Sequence, residues 1–167
     1  GKEIIGFRSP NFSLMKANPE VLDLLLELGF KYDSSVFPYK KYYGKKMDLK
    51  PFWLQTPKQN KIFEVPLSVI SIYGIRIPCC GGAFFRNYPF FFTKFCFYEI
   101  LREKRAVNFY IHPHEFEEIG FENIDIKLNF LRKYFEKNGR KKAGNYLLNI
   151  LKDYKFNSIE NIYFSLN

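Results

Sequence analysis

The sequence holds little of what most metal and cofactor chemistry is built from: two histidines, three cysteines and one tryptophan in 167 residues. Three cysteines give no disulfide framework, and Cys79 and Cys80 are adjacent, which disfavours a bridge between them. A thiolate metal site would need more ligands at other spacings, so reduced, partly buried thiols are expected. No stretch of about eighteen uncharged apolar residues occurs, so nothing reads as a membrane span. The apolar run at 90–97 is interrupted by Lys94 and reads as the start of a buried helix. There is no phosphate-binding glycine loop, and Gly81-Gly82 alone is a weak signal. Ser34 and Ser35 lack the Gly-x-Ser-x-Gly elbow, which argues against a nucleophilic serine. No signal-peptide pattern is visible; the sequence opens at Gly1 and not at Met, so any targeting segment is expected upstream.

Aromatic residues and positive charge are plentiful. Twenty Phe and twelve Tyr accompany 26 Lys and Arg against 17 acidic residues, a net charge of +9. Such a balance can favour an acidic polymer, a membrane surface or nucleic acid. The lysines, however, gather at 40–46 and 137–142 in loop-like stretches and read as solvated surface. No nucleic-acid-binding motif accompanies the charge, so nucleic acid is not expected as a partner. The length suits one domain with a substantial core.

The chain alternates between apolar runs and helical patterns. Residues 3–7 read as a strand that meets Arg8-Ser9-Pro10. Asn18-Pro19 opens a helix that carries Val21, Leu22, Leu25 and Leu28, and Gly29 closes it. A short apolar step at 30–32 leads to Asp33-Ser34-Ser35. Residues 36–61 read as one long loop, of the kind that is usually functional or disordered. Residues 62–65 form a second strand ending at Pro66, and 71–77 another. Gly81-Gly82 marks a tight turn or a close backbone approach. A helix spans Phe91 to near Lys104. Residues 107–112 are predicted to be a buried strand that stops at Pro113 and holds His112 at the sheet's rim. Two amphipathic helices follow, one marked by Ile126, Phe130, Leu131, Tyr134 and Phe135, the other by Tyr146, Leu147, Ile150, Leu151 and Tyr154; residues 156–166 form a tail. The order predicts an α/β fold with a mainly parallel sheet.

Arg8, Asp33, Glu64 and His112 all fall where strands should end. In α/β folds that rim carries the chemistry. A guanidinium, two carboxylates and an imidazole converging there suit hydrolysis by general acid-base catalysis. Each also has a plain structural role open to it: a surface ion pair for Arg8, a turn or cap for Asp33, a solvent-facing position for Glu64, a strand end for His112. His112-x-His114 could place two imidazoles on one side as metal ligands, but Pro113 ends the strand and no third ligand is evident.

Several ordered motifs strongly resemble the polysaccharide deacetylase (NodB-homology) family. They are Gly6-Phe7-Arg8-Ser9-Pro10-Asn11-Phe12-Ser13 and Glu27-Leu28-Gly29-Phe30-Lys31-Tyr32-Asp33-Ser34-Ser35-Val36-Phe37-Pro38, followed by Phe63-Glu64-Val65-Pro66-Leu67-Ser68. Gly81-Gly82-Ala83-Phe84-Phe85-Arg86 and Ile111-His112-Pro113-His114-Glu115-Phe116 complete the set. The resemblance covers nearly the whole chain and is to members acting in exopolysaccharide biosynthesis. It implies a distorted (β/α) barrel and metal-dependent hydrolysis of N-acetyl groups on a carbohydrate polymer. By the same resemblance Arg8 tethers the catalytic base, Asp33 orients and tunes the general acid, and His112 is that acid, so Asp33 and His112 are expected as one hydrogen-bonded unit. Pro10, Ser34, Trp53 and Gly82 are expected to line the substrate groove.

The sequence also departs from that family. Its Asp-Asp pair, which supplies the base and one metal ligand, and its His-x-x-x-His motif both precede Arg-x-Pro, and neither occurs here. The chain is therefore expected to be the C-terminal portion of a deacetylase domain, a partial (β/α) barrel without its N-terminal strands. The divalent metal of the complete domain, such as zinc, is not expected in this chain alone, nor is activity. An open sheet edge would invite association with another copy. A non-catalytic carbohydrate-binding remnant is the alternative, with Tyr39, Tyr42, Tyr43 and Trp53 as stacking surfaces.

Overall fold

The computed structural model of the protein describes residues 1, 3–14, 18–42, 44–116, 134–135 and 138–165. Among these, one four-stranded sheet organises the N-terminal half. Its strands are β1 (Gly6–Phe7), β2 (Tyr32–Asp33), β5 (Phe52–Gln55) and β6 (Lys61–Glu64), in the order β1-β2-β6-β5. The first three pair in parallel, and β5 joins antiparallel at the far edge. Two hairpins stand apart, β3 (Lys41–Tyr42) with β4 (Lys45–Lys46) and β7 (Val69–Ile72) with β8 (Ile75–Pro78). The structure is thus mixed helix and sheet, and the described strands do not close into a barrel.

Register explains the sheet's two faces. Phe7, Asp33 and Glu64 are successive partners across the parallel strands and share one face with Ile62. That face packs on α1 (Val21–Glu27), where Leu22 and Leu25 meet Val36, Tyr42 and Ile62. Gly6, Tyr32 and Phe63 share the other face. Gly6 is glycine because the Tyr32 ring fills the space a Cβ would take, 1.9 Å away. Tyr32 in turn stacks on Phe164 at 5.4 Å, just beyond α5 (Ile159–Tyr163).

The expected helix start and stop are both present, shifted slightly. Asn18 accepts from the Glu20 N–H at 3.2 Å and its carbonyl accepts from Val21, so it opens the turn three residues before regular α1 begins at Val21. Gly29, at φ +88°, lets Phe30 N–H reach back to the Leu25 carbonyl at 2.9 Å.

A second core lies between β7 and the helices α2 (Gly82–Asn87), α3 (Phe90–Arg102) and α4 (Arg140–Asp153). Ile70, Phe85, Phe97, Ile100 and Ile150 are fully buried there with Cys79, Cys80 and Cys96, all three cysteines being free thiols. The apolar run at 90–97 is the start of α3, as its interruption by Lys94 suggested.

Four expectations are corrected. The loop at 36–61 holds three strands, and Trp53 sits in β5. The strand at 71–77 is a hairpin turned at Tyr73-Gly74, both at positive φ (+48° and +80°). The tail contains α5, capped by Ser158 Oγ, which accepts from Asn161 N–H at 3.1 Å. Residues 107–112 are extended but make only an isolated parallel bridge, Tyr110 with Gly81. The Asn108 N–H goes to the Ser68 hydroxyl at 2.8 Å in place of a carbonyl, and the Tyr110 N–H to Cys80 O bond is 3.4 Å long, so no ladder forms. The helix expected around Ile126 to Leu131 lies outside the described residues.

Candidate active site

The parallel strands deliver Arg8, Ser34 and Val65 to one rim, and Asn108 ties them together. Arg8 Nη2 donates to Ser34 Oγ at 2.7 Å and to Asn108 Oδ1 at 2.8 Å, while Nε donates to the Ser34 carbonyl at 3.0 Å. The Ser34 hydroxyl donates to the Val65 carbonyl at 2.6 Å, and Asn108 Nδ2 reaches Ser34 Oγ and the carbonyls of Val65 and Pro66 at 3.0, 3.0 and 3.1 Å. Burial lowers the Arg8 pKa from its usual value, and the carboxyls of Glu64 and Asp33 oppose that shift.

Beyond the rim, Arg8, Ser9, Pro10, Asn11 and Phe12 form one side of a groove of about 680 Å³, and residues 109–112 form the other. Asn11 and Phe12 both hold φ +54°, a conformation that costs a side-chain-bearing residue roughly 1–2 kcal/mol. The Phe12 ring is fixed edge-on between Phe37 and Tyr110, at 5.2 and 5.1 Å, which holds that turn in place. Arg8 and His112, far apart in sequence, thereby face one space.

Asp33 is not part of it. It is fully buried, and no hydrogen bond or ion pair joins it to His112 among the described residues. Its carboxylate accepts from the Ser35 hydroxyl at 2.7 Å and the Ser35 N–H at 3.3 Å, and the same hydroxyl accepts from Ser9 N–H at 2.8 Å. Asp33 thus braces the backbone between Arg8 and Pro10. Its neighbour across the sheet is Glu64. Glu64 Oε1 accepts from Val36 N–H at 3.0 Å, whereas buried Oε2 has no donor facing it. Burial, then the charge of Asp33, pushes the Glu64 pKa well above the usual carboxylate range. Burial also raises Asp33, with the hydrogen bonds from Ser35 and Glu64 opposing it. Of the two carboxyls Glu64 is thus the one pushed towards its protonated form, in which Oε2 would have a hydrogen to offer Asp33.

The carboxylate beside His112 is Glu115. Pro113–Glu115 is one turn of 3-10 helix, and Glu115 N–H donates to the His112 carbonyl at 2.9 Å. Glu115 Oε1 lies 3.7 Å from His112 Nδ1 and 3.7 Å from His114 Nε2. Arg86 Nε pairs with Glu115 Oε2 in a buried ion pair, and Arg86 Nη1 donates to the carbonyls of Phe135 and Asn138 at 2.8 and 2.6 Å.

The expected substrate-lining residues divide. Pro10 is exposed in the groove. Ser34 is buried and its hydroxyl is engaged by Arg8, Asn108 and the Val65 carbonyl, so it positions Arg8. Gly82 makes its close approach to Tyr110: a Cβ there would sit 2.8 Å from the phenol oxygen. Trp53 is exposed on β5, edge-on to Phe63, and is not among the groove's lining residues. Tyr42 is buried, and Tyr43 lies outside the described residues. Asn108 and Glu115 carry contacts that no pattern pointed to, an Asn inside an apolar run and a Glu after His-Pro-His being silent without their partners.

A metal of the kind the deacetylase resemblance implies would need ligands that leave His112 free as an acid. Among the described residues one His and carboxylate group is close enough to hold an ion, and it consists of His112, His114 and Glu115. It contains the acid itself, so these residues do not fit that metal.

The fold and site define a mixed α/β domain with a basic and imidazole-lined groove at the end of a parallel sheet. Over residues 34–164 the sequence matches the model of a family described as a domain of unknown function (DUF3473), and the chain belongs to that family. Arg8 and Pro10 precede the matched region; Glu64 and His112 lie within it. No curated protein and no solved structure matches the chain. No helix among the described residues is long and apolar enough to cross a membrane.

Proposed function

We propose that this chain is the general-acid side of a polysaccharide N-deacetylase, and that its sheet is part of a (β/α) barrel of that type. The observation that carries the reading is the groove flanked by Arg8, Pro10 and His112, the residues that the resemblance assigns to the reaction. Membership of a family associated with polysaccharide deacetylase-like proteins supports it. In this role His112 protonates the amine nitrogen as the acetyl C–N bond breaks. Arg8, locked by Ser34 and Asn108, presents fixed positive charge to the groove, and Asp33 acts at one remove by bracing Ser9 through Ser35. Among the described residues none is placed as the base, or as ligands that leave His112 free as the acid, so the complete activity is assigned to the full gene product.

The test is acetate release from an N-acetylglucosamine polymer by that full product. His112→Ala should lower the rate about 10²–10⁴-fold, the usual worth of a general acid. Unchanged acetate release by the variant, or none from the unmodified protein supplied with divalent metal, would overturn the reading. Exposed Trp53 favours a second one, a carbohydrate-binding surface without catalysis. Glycan binding that Trp53→Ala abolishes, with no acetate released, would select it.

A further inference from the structure

We infer that His112, His114 and Glu115 form a binding site for one divalent transition-metal ion, of the zinc class. The inference does not rest on the deacetylase reading and concerns a different metal site from the one that reading implies.

Two imidazoles and one carboxylate are the donor set that such ions prefer. The 3-10 turn brings the donors together: the His112 and His114 rings lie 5.1 Å apart and 20° from parallel, and one ligand atom from each of the three residues falls within 4.8 Å of the others. Both imidazoles are 3.7 Å from the same oxygen, Glu115 Oε1. With metal–ligand bonds of about 2.0–2.2 Å, adjacent ligands of a tetrahedral ion stand roughly 3.4 Å apart. The remaining closure is a small side-chain rotation of two histidines that are 55% and 47% exposed, against water and not against packed core.

The carboxylate is built in. The Glu115 side chain is 6% exposed, and Arg86 holds Oε2, leaving Oε1 turned to the histidines. Arg140 Nη1 donates to the His114 carbonyl and fixes the turn from behind. Outer partners of this kind are what orient metal ligands. The positive charge on Arg86 also weakens Glu115 as a donor, so the site is weaker than one with an unpaired glutamate. The exposed side leaves the other coordination positions to water or a ligand. An ion on one His112 nitrogen removes its imidazolium form, so occupancy and proton donation by His112 exclude each other.

The experiment titrates the chain with Co²⁺, read by its visible absorption, and with Zn²⁺, read by calorimetry. The unmodified chain should bind one equivalent, and His112→Ala and His114→Ala should each weaken binding at least about tenfold. Both histidines are half-exposed, so the variants should keep the parent's circular dichroism. Glu115→Gln should weaken binding as well, provided that its circular dichroism is unchanged. No binding by the unmodified chain, or histidine variants that bind as tightly as the unmodified chain, would overturn the site. Acetate release is not measured, so failure here leaves the deacetylase proposal standing.

Discussion

At the scale of single residues, the least expected pair is Asp33 and Glu64. Two carboxyls facing each other in a dry sheet cannot both ionise without large cost, so the native state keeps a proton that the unfolded chain gives up. In the unfolded chain Glu64 ionises near its ordinary value of 4.5. Its contribution to stability is therefore complete below that pH and is lost as the pH rises through the elevated native value. Glu64→Gln keeps an acceptor for Val36 N–H and supplies a permanent donor towards Asp33. The variant should melt about 2–4 °C higher than the parent at neutral pH, the effect of roughly 1 kcal/mol in a domain of this size. Below pH 4.5 the advantage should vanish, which thermal melts across that range will show. A variant less stable than the parent at neutral pH would mean that Glu64 is ionised in the native sheet.

At the scale of elements, what could be read in advance depended on whether the signal was local. α1 and α3 announced themselves by apolar spacing, and Gly29 by its left-handed stop. β5 did not, because its 52–55 run sits among lysines, prolines and tyrosines and becomes a strand only by pairing with β6. The β7–β8 turn uses Tyr73 where a two-residue hairpin usually carries Asn or Asp, so two strands read as one. In the site, strand-then-proline punctuation pointed to Arg8, Pro10 and His112, whereas the partner of His112 is set by a buried contact between Arg86 and Glu115 across 29 residues. α5 was missed because five residues show no period. Its stability rests on the Ser158 cap and on aromatic contacts of Tyr163 and Phe164 with Phe63. Ser158→Ala should cost about 1 kcal/mol and speed amide exchange in Ile159–Tyr163. Uniform acceleration through the sheet instead would mean that α5 does not open separately.

At the scale of the whole molecule, two larger cores and a smaller one share the work. One lies under α1 on the parallel sheet, another between β7 and the helices α2, α3 and α4, and the smallest is formed by Phe37, Leu67 and Val69. Asn108 and Arg105 stitch them. Asn108 bonds the rim of the first, and Arg105 Nη2 donates to the Val69 carbonyl at the start of β7, which borders the second, at 3.0 Å while its Nε meets Glu103 at 2.8 Å. The groove runs along the seam between residues 8–12 and 109–112, so its shape depends on both halves being folded.

The cluster of sulfur atoms in the second core gives the chain a gauge of its own opening. Cys79 and Cys80 place their sulfurs 3.5 Å apart, and that contact, with burial, pushes the Cys79 thiol far up; the contact with Cys79 does the same to Cys96. Only thiolates attack disulfide reagents, so a closed chain should be almost inert to them. Labelling with an aromatic disulfide should then proceed at the frequency with which the second core parts, and all three sulfurs should react promptly in denaturant. Rapid labelling of the native chain would mean that this core breathes freely.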